Sequence, residues 1–276
     1  YFTQMAIGKT NNYILAWIEK LQSSGKIAFS YDEVITDFSE KSENAIIQSL
    51  SRLSQRGRVV PIYKGFYLII PPEYYAREIL PPILFIDYLM EFIGKPYYVG
   101  LLSAAALYGA AHQQPQEFFV ITNTKQLATR KKGIKINYVI KKTIPVEFLD
   151  KRKTETGYVK VSSPELTAFD LVYYNNRIGG LNRTCTVLNE LTESINPKKL
   201  EHDLLKLFSV ATIQRLGYIF DSVLNEARLA NKLWKASQDL NLKFFRQPLN
   251  TFNKSSGYIT DPRWKIVINT EIDIDE

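Results

Sequence analysis

The stretch KSENAIIQSLSRLSQRG, residues 41–57, decides how the first 75 residues fold. Ile46, Ser49, Leu50 and Leu53 recur at i, i+3, i+4 and i+7, which is one face of a helix. Asn44, Gln48, Ser51 and Gln55 fall roughly opposite, with Lys41 near the start and Arg52 at the edge. The spacing predicts a helix from about Ser42 to Gln55, closed by Gly57. Its outer face carries polar side chains able to reach base edges and phosphates, with no carboxylate among them.

Upstream, Asn12 to Leu21 reads as an amphipathic helix with Ile14, Leu15, Ile18 and Leu21 on one face, stopped by Gly25. Lys26–Ser30 alternates like a short strand. Ser30-Tyr31-Asp32-Glu33 is a capping box, opening a short helix that carries Val34, Ile35 and Phe38. Downstream come Val59-Val60-Pro61-Ile62, a turn at Tyr63-Lys64-Gly65, and Phe66 to Ile70. Gly65 can supply the positive φ of a hairpin, with Lys64 at its tip. Helix, strand, helix, turn, helix and basic hairpin together predict a winged helix-turn-helix, whose second helix of the pair enters the major groove. The candidate DNA contacts are Lys41, Ser42, Asn44, Gln48, Ser51, Arg52, Arg56 and Lys64. The bland alternative is a three-helix protein-docking domain that never meets DNA.

Paired prolines at 71–72 and 81–82 mark a boundary. The expected organisation is a winged helix over 1–75, a Pro-rich linker over 76–82, and a C-terminal domain over 83–276. In the latter, helices are expected at 83–93, 103–108, 164–174, 184–194, 197–207, 211–218 and 220–235. Strands are expected at 97–100, 117–122, 134–140, 159–161 and 264–269. Strands and helices interleave without strict alternation, so the fold class is α/β (α+β), a mixed sheet flanked by helices.

The chain carries 35 Lys and Arg against 28 Asp and Glu, a net charge of +7. Residues 125–160 alone hold 11 basic and 3 acidic side chains, whereas 1–80 hold 9 and 8. Arg130, Lys131, Lys132, Lys135, Lys141 and Lys142 form a candidate second nucleic-acid surface, since phosphate contacts release condensed counterions. The competing reading is a solvated loop and an edge strand guarded by lysines.

Catalytic constellations are missing. There is no Gly-x-x-x-x-Gly-Lys-Ser/Thr loop and no His-Glu-x-x-His. Gly179-Gly180 is not followed by the spaced acidic pair that a nucleotidyltransferase needs to hold two metals. Asp261-Pro262 reverses the nuclease order, and His112 reads as a loop histidine. The terminal Glu271 to Glu276 reads as an edge strand or acidic tail. One cysteine, Cys185, excludes a disulfide framework, and two distant histidines argue against a multi-histidine centre. No enzyme, metal or cofactor is expected. No apolar run is long enough for a membrane span. Tyr1 to Asn12 lack a signal-peptide pattern, and the expected setting is a reducing cytoplasm.

At Ser49-Leu50-Ser51-Arg52-Leu53…Gly57 and Lys64-Gly65-Phe66-Tyr67 the sequence resembles the N-terminal domain of the AbiEi antitoxins of bacterial abortive-infection, type IV toxin–antitoxin systems. The resemblance continues at Tyr97-Tyr98-Val99-Gly100 through Gly109 and at Pro164-Glu165-Leu166-Thr167-Ala168-Phe169-Asp170-Leu171. It runs on through Gln214-Arg215-Leu216-Gly217-Tyr218 to Val267-Ile268-Asn269. Leu166 stands where many relatives carry Arg. The resemblance implies an antitoxin that binds inverted repeats in operator DNA and represses its own operon. It implies a C-terminal domain that counteracts a nucleotidyltransferase-like toxin without requiring a stable complex. The rival function is a winged-helix regulator whose C-terminal domain senses a ligand or protein, with no toxin partner. A nucleic-acid-processing enzyme with an unfamiliar site is the other.

Overall fold

The computed structural model describes residues 6–75, 80–110 and 116–274. The expected linker falls largely on 76–79, and His112 on 111–115, outside the described residues. The chain divides into two compact units that interleave in sequence. Unit 1 comprises 1–97, 122–142 and 151–160; unit 2 comprises 98–121, 143–150 and 161–276.

Unit 1 opens with α1 (Ala6–Ser23), β1 (Ala28–Ser30), α2 (Tyr31–Asp37) and α3 (Glu43–Gln55), followed by β2 (Val59–Tyr63) and β3 (Phe66–Ile69). The order matches the winged helix-turn-helix expected from the sequence. Both halves of the capping box form: the Ser30 hydroxyl accepts from Glu33 N, and Ser30 N donates to the Glu33 carboxylate at 2.7 Å. Ser42 caps α3 by accepting from Ala45 N. The inner face of α3 behaves as its spacing requires, with Ile46, Ser49, Leu50 and Leu53 all buried. The three aliphatic side chains among them join Ile14, Ile18, Phe29, Val34, Val59 and Ile69 in one core. Each large aliphatic buried there contributes about 1.5–3 kcal/mol. β1, β3 and β2 form a three-stranded antiparallel sheet. Lys64 and Gly65 make its two-residue turn, with Gly65 at φ +74°.

Next comes α4 (Pro82–Ile93), with a Pro entry and a left-handed Gly94 exit. Its Phe92 packs on Tyr63 and Phe66 of the wing. The chain continues through β4 (Tyr97–Val99), α5 (Leu101–Leu107), β5 (Phe118–Thr122), β6 (Thr129–Lys131), β7 (Ile134–Ile140), β8 (Leu149–Thr154) and β9 (Gly157–Ser162). These strands form a mixed sheet in the order β6-β7-β5-β4-β9-β8, with β4 parallel to β9 and β6 antiparallel to β7. The expectation of a mixed sheet with helices holds. The sequence reading does not anticipate β6 and β8; both are basic edge strands.

Unit 2 is mainly helical: α6 (Pro164–Tyr173), α7 (Leu181–Leu191), α8 (His202–Leu205), α9 (Val210–Tyr218) and α10 (Ala227–Asp239), then the short pair β10 (Gln247–Pro248) and β11 (Ile266–Val267). The helix expected over 197–207 is replaced by a 3₁₀ turn at Pro197–Lys199 and the single turn α8. Leu200, fully buried, leaves helical backbone between them. The strand expected over 264–269 shortens to Ile266–Val267, because Lys265 takes φ +57°. The segment 271–274 forms no strand.

Candidate nucleic-acid interface

Because Ile46, Ser49, Leu50 and Leu53 turn inward, α3 presents Asn44, Ile47, Gln48, Ser51 and Gln55 outward, all exposed. Of the sequence-predicted contacts, Asn44, Gln48 and Ser51 therefore share one face, with Arg52 half-buried at its flank and Arg56 exposed at the C-terminal cap. Lys41 stands exposed ahead of the first turn, 3.9 Å from the Glu40 carboxylate and 5.7 Å from the ring centre of Tyr13. Ser42 is committed to capping, which leaves only its hydroxyl proton for a phosphate. Lys64 is exposed at the tip of the wing. Tyr31 N donates to Gly65 O at 2.8 Å, fixing that tip to the start of α2.

Arg58 belongs elsewhere. Its guanidinium pairs with Glu19 at 3.1 Å and lies 4.8 Å from the ring centre of Tyr75, so it knits α1 to the turn between α3 and β2. Ile47 was missed by sequence reasoning. It is 51% exposed in the middle of the polar face. Its signal was available, since it sits between Asn44 and Ser51 on the outer stripe rather than the inner one.

The basic block folds as a hairpin. Thr129, Arg130 and Lys131 pair with Ile136, Lys135 and Ile134. Lys132 and Gly133 form the turn at φ +43° and +79°, the two left-handed residues that a type I′ hairpin requires. Lys132 Nζ donates to the carbonyl of Ser54 at 3.4 Å. A cation thus meets the C-terminal turn of α3, where the negative end of the helix dipole favours it. The Arg130 guanidinium donates to Asn137 Oδ1 at 2.7 Å. Lys131 and Lys135 are exposed, Ile134 and Ile136 buried, so the strand has the two-faced pattern its alternation predicts. Lys141 and Lys142 follow β7, half-buried and exposed respectively.

Charge divides with the units. Unit 1 holds 21 basic and 11 acidic residues, a net +10, whereas unit 2 holds 14 and 17, a net −3. The basic block, distant in sequence from the winged helix, belongs to the same compact body.

Unit 2 shows buried polar knots. Asp170 is fully buried and accepts from the Tyr98 hydroxyl at 2.6 Å; burial and that carboxylate hold the Tyr98 hydroxyl well above its usual range, so it stays a donor. Glu165, 1% exposed, accepts from Asn196 N at 2.8 Å. Leu166, at the Arg position of the family pattern, is buried in the core. Gln214 Nε2 donates to the carbonyls of Phe245 and Trp264, and Arg215 Nε to that of Pro248. A Cβ on Gly217 would lie inside the indole of Trp264. Asn269 bonds Asn250 through both ends of its amide. The thiol of buried Cys185 is pushed up to about 12 by burial, which makes it a packing group rather than a nucleophile. Among the described residues no group of three or more His, Cys, Asp or Glu could hold a metal ion. Among them, too, no helix is long and apolar enough to cross a membrane.

Residues 98–222 match a family model described as the AbiEi antitoxin C-terminal domain, which bears out the family resemblance over that span. No curated protein matches the chain. Among solved structures, the crystal structure of the RV2827C protein from Mycobacterium tuberculosis is similar over 91% of this chain and 89% of its own. The TM-score is 0.65 and the identity 14%, so the likeness is one of fold.

Proposed function

We propose that this chain, which carries an AbiEi antitoxin C-terminal domain over residues 98–222, is the antitoxin of a bacterial type IV toxin–antitoxin system and also an operator-binding repressor. The antitoxin-domain match carries the first half of that reading. The +10 unit built around a winged helix supports the second, because localised positive charge is what phosphate-backbone binding requires. DNA binding is assigned to residues 1–75, with α3 in the major groove of inverted repeats upstream of the operon. Asn44, Gln48 and Ser51 face base edges. Lys41, Ser42, Arg52 and Arg56 flank the groove, and Lys64 reaches the backbone from the wing. Arg130, Lys131, Lys132, Lys135, Lys141 and Lys142 supply a second backbone-contacting surface in the same unit. The partner counteracted is a nucleotidyltransferase-like toxin in the cytoplasm, and the protein itself is not an enzyme.

The test separates the two activities in the full-length chain. Arg52→Ala with Lys64→Ala should weaken operator binding about 10- to 100-fold and flatten its salt dependence. The same variant should still rescue growth of cells expressing the neighbouring toxin. Unchanged affinity and salt slope in an anisotropy titration would refute the DNA face; absence of rescue by the wild-type chain would refute the antitoxin.

A further inference from the structure

Ile47 is out of place on a solvated helix face. α3 contains three other large aliphatic side chains, Ile46, Leu50 and Leu53, and each is 1% exposed, whereas Ile47 is 51% exposed. A β-branched residue gains nothing in an exposed helical position, where Lys, Glu or Gln would serve the helix better. Its neighbours on that face are Asn44 three residues before, Gln48 beside it and Ser51 four residues after. Lys41, Arg52 and Arg56 bound the same helix, against Glu43 alone. A polyanion fits that rim. An apolar protein partner fits it poorly, because one isoleucine surrounded by amides is not an apolar patch.

Major-groove chemistry gives this arrangement a meaning. Thymine presents a 5-methyl group there, the one apolar feature of the groove edge, and adenine presents the N7 acceptor and N6 donor that a side-chain amide meets bidentately. Asn44 and Gln48 have the donor–acceptor pair for adenine; Ile47 between them has only carbon. We propose that Ile47 is a specificity-determining residue that packs on a thymine 5-methyl group within an A·T step of each operator half-site. The assignment rests on the DNA-binding reading above and names the base chemistry which that reading leaves open.

The experiment uses the full-length protein and duplexes carrying the inverted repeat upstream of its own gene. Each thymine is replaced in turn by deoxyuridine, which deletes the methyl and keeps the base pair. Wild-type affinity should fall about 3- to 10-fold at one thymine per half-site, the scale expected for removing one buried methyl group. Ile47→Ala should bind the unmodified duplex weaker by a similar factor and show no further loss on that deoxyuridine duplex. Its binding to non-specific DNA and its thermal melting should match wild type, which excludes misfolding as the cause. Tight, salt-sensitive wild-type binding that tolerates deoxyuridine at every position overturns the role of Ile47 and leaves the DNA reading standing. Equal additional losses for wild type and variant on the deoxyuridine duplex overturn it too. If the wild type binds neither the upstream duplex nor non-specific DNA, the DNA reading falls and Ile47's role falls with it.

Discussion

Gly217 and Trp264 show how much a single residue fixes in unit 2. The Trp264 indole is fully buried and occupies the space a Cβ on Gly217 would need. Its ring stacks with Phe244, meets Trp234 edge-on, and donates from Nε1 to Asp221 at 2.8 Å. Arg263 completes the cluster, paired with Asp221 at 3.0 Å and lying over both indoles. Gly217→Ala must therefore displace a large ring held on several sides. The expected loss is about 1–3 kcal/mol, the usual cost of overpacking a core. It should appear as a lowered midpoint in a urea titration followed by tryptophan fluorescence. Trimming the ring with Trp264→Leu should make the two losses sub-additive, because the pair shares one clash. Additive losses would place the cost of the alanine elsewhere.

At the scale of elements, the α2 capping box invites a pH test. Burial alone would raise the Glu33 carboxyl, but the Ser30 backbone N–H and Lys26 outweigh it and hold the group below its ordinary range. A depressed carboxylate contributes stability that is present above the unfolded pKa of about 4.3 and is lost as pH falls through the lower folded value. Glu33→Gln keeps a capping acceptor but does not titrate. Wild type should lose more melting temperature than the variant between about pH 4.5 and 3. The group is partly exposed, so the difference should stay below about 0.5 kcal/mol. Parallel melting curves across that window would dissociate Glu33 from acid sensitivity.

This box was legible because Ser30 and Glu33 satisfy each other locally, as were α3 and the wing, whose caps and Gly65 lie within a few residues of what they terminate. Elements decided by distant partners were not. β8 is Leu-Asp-Lys-Arg-Lys-Thr, whose residues are half-buried or exposed, so it lacked the apolar alternation that marks a strand. β6 turns on Lys132-Gly133, in which a lysine occupies a left-handed position that asparagine or glycine usually signals. Pro197 looks like a helix start, yet burial of Leu200 breaks the helix after one 3₁₀ turn. Spacing alone puts Asn44, Gln48 and Ser51 on the outer face of α3, and the structure leaves all three exposed. Ile47 escaped because an apolar residue in a helix is ordinarily assigned to the core, although the spacing that puts Ile46 on the inner face already puts Ile47 off it, and the burial of Ile46 beside it bears this out.

On the scale of the molecule, charge is arranged by compact unit and not along the chain. The first 80 residues are nearly neutral in sequence, 9 basic against 8 acidic, which understates the field a polyanion would meet. Segments 122–142 and 151–160 raise unit 1 to +10. Lys132 bonds the last turn of α3, so the hairpin stands beside the helix that the DNA reading places in the groove. Two physical roles compete for its lysines. As edge protection they need only solvent: Lys131 lies on β6, an edge strand of its sheet, and Lys135 on β7, paired directly against it. As phosphate ligands they must add to the ion release on binding. Lys131→Ala with Lys135→Ala distinguishes these roles, since both side chains are exposed and the strand's buried Ile134 and Ile136 are untouched. Every phosphate that goes unneutralised should lower the slope of log K against log salt by about 0.9, so the pair should remove up to about 2 from the slope of operator binding. Sequence preference should stay constant, because interactions with the DNA backbone carry no base information. A wild-type slope accompanied by new aggregation would assign the two lysines to guarding the sheet edge and leave the winged helix to hold the operator alone.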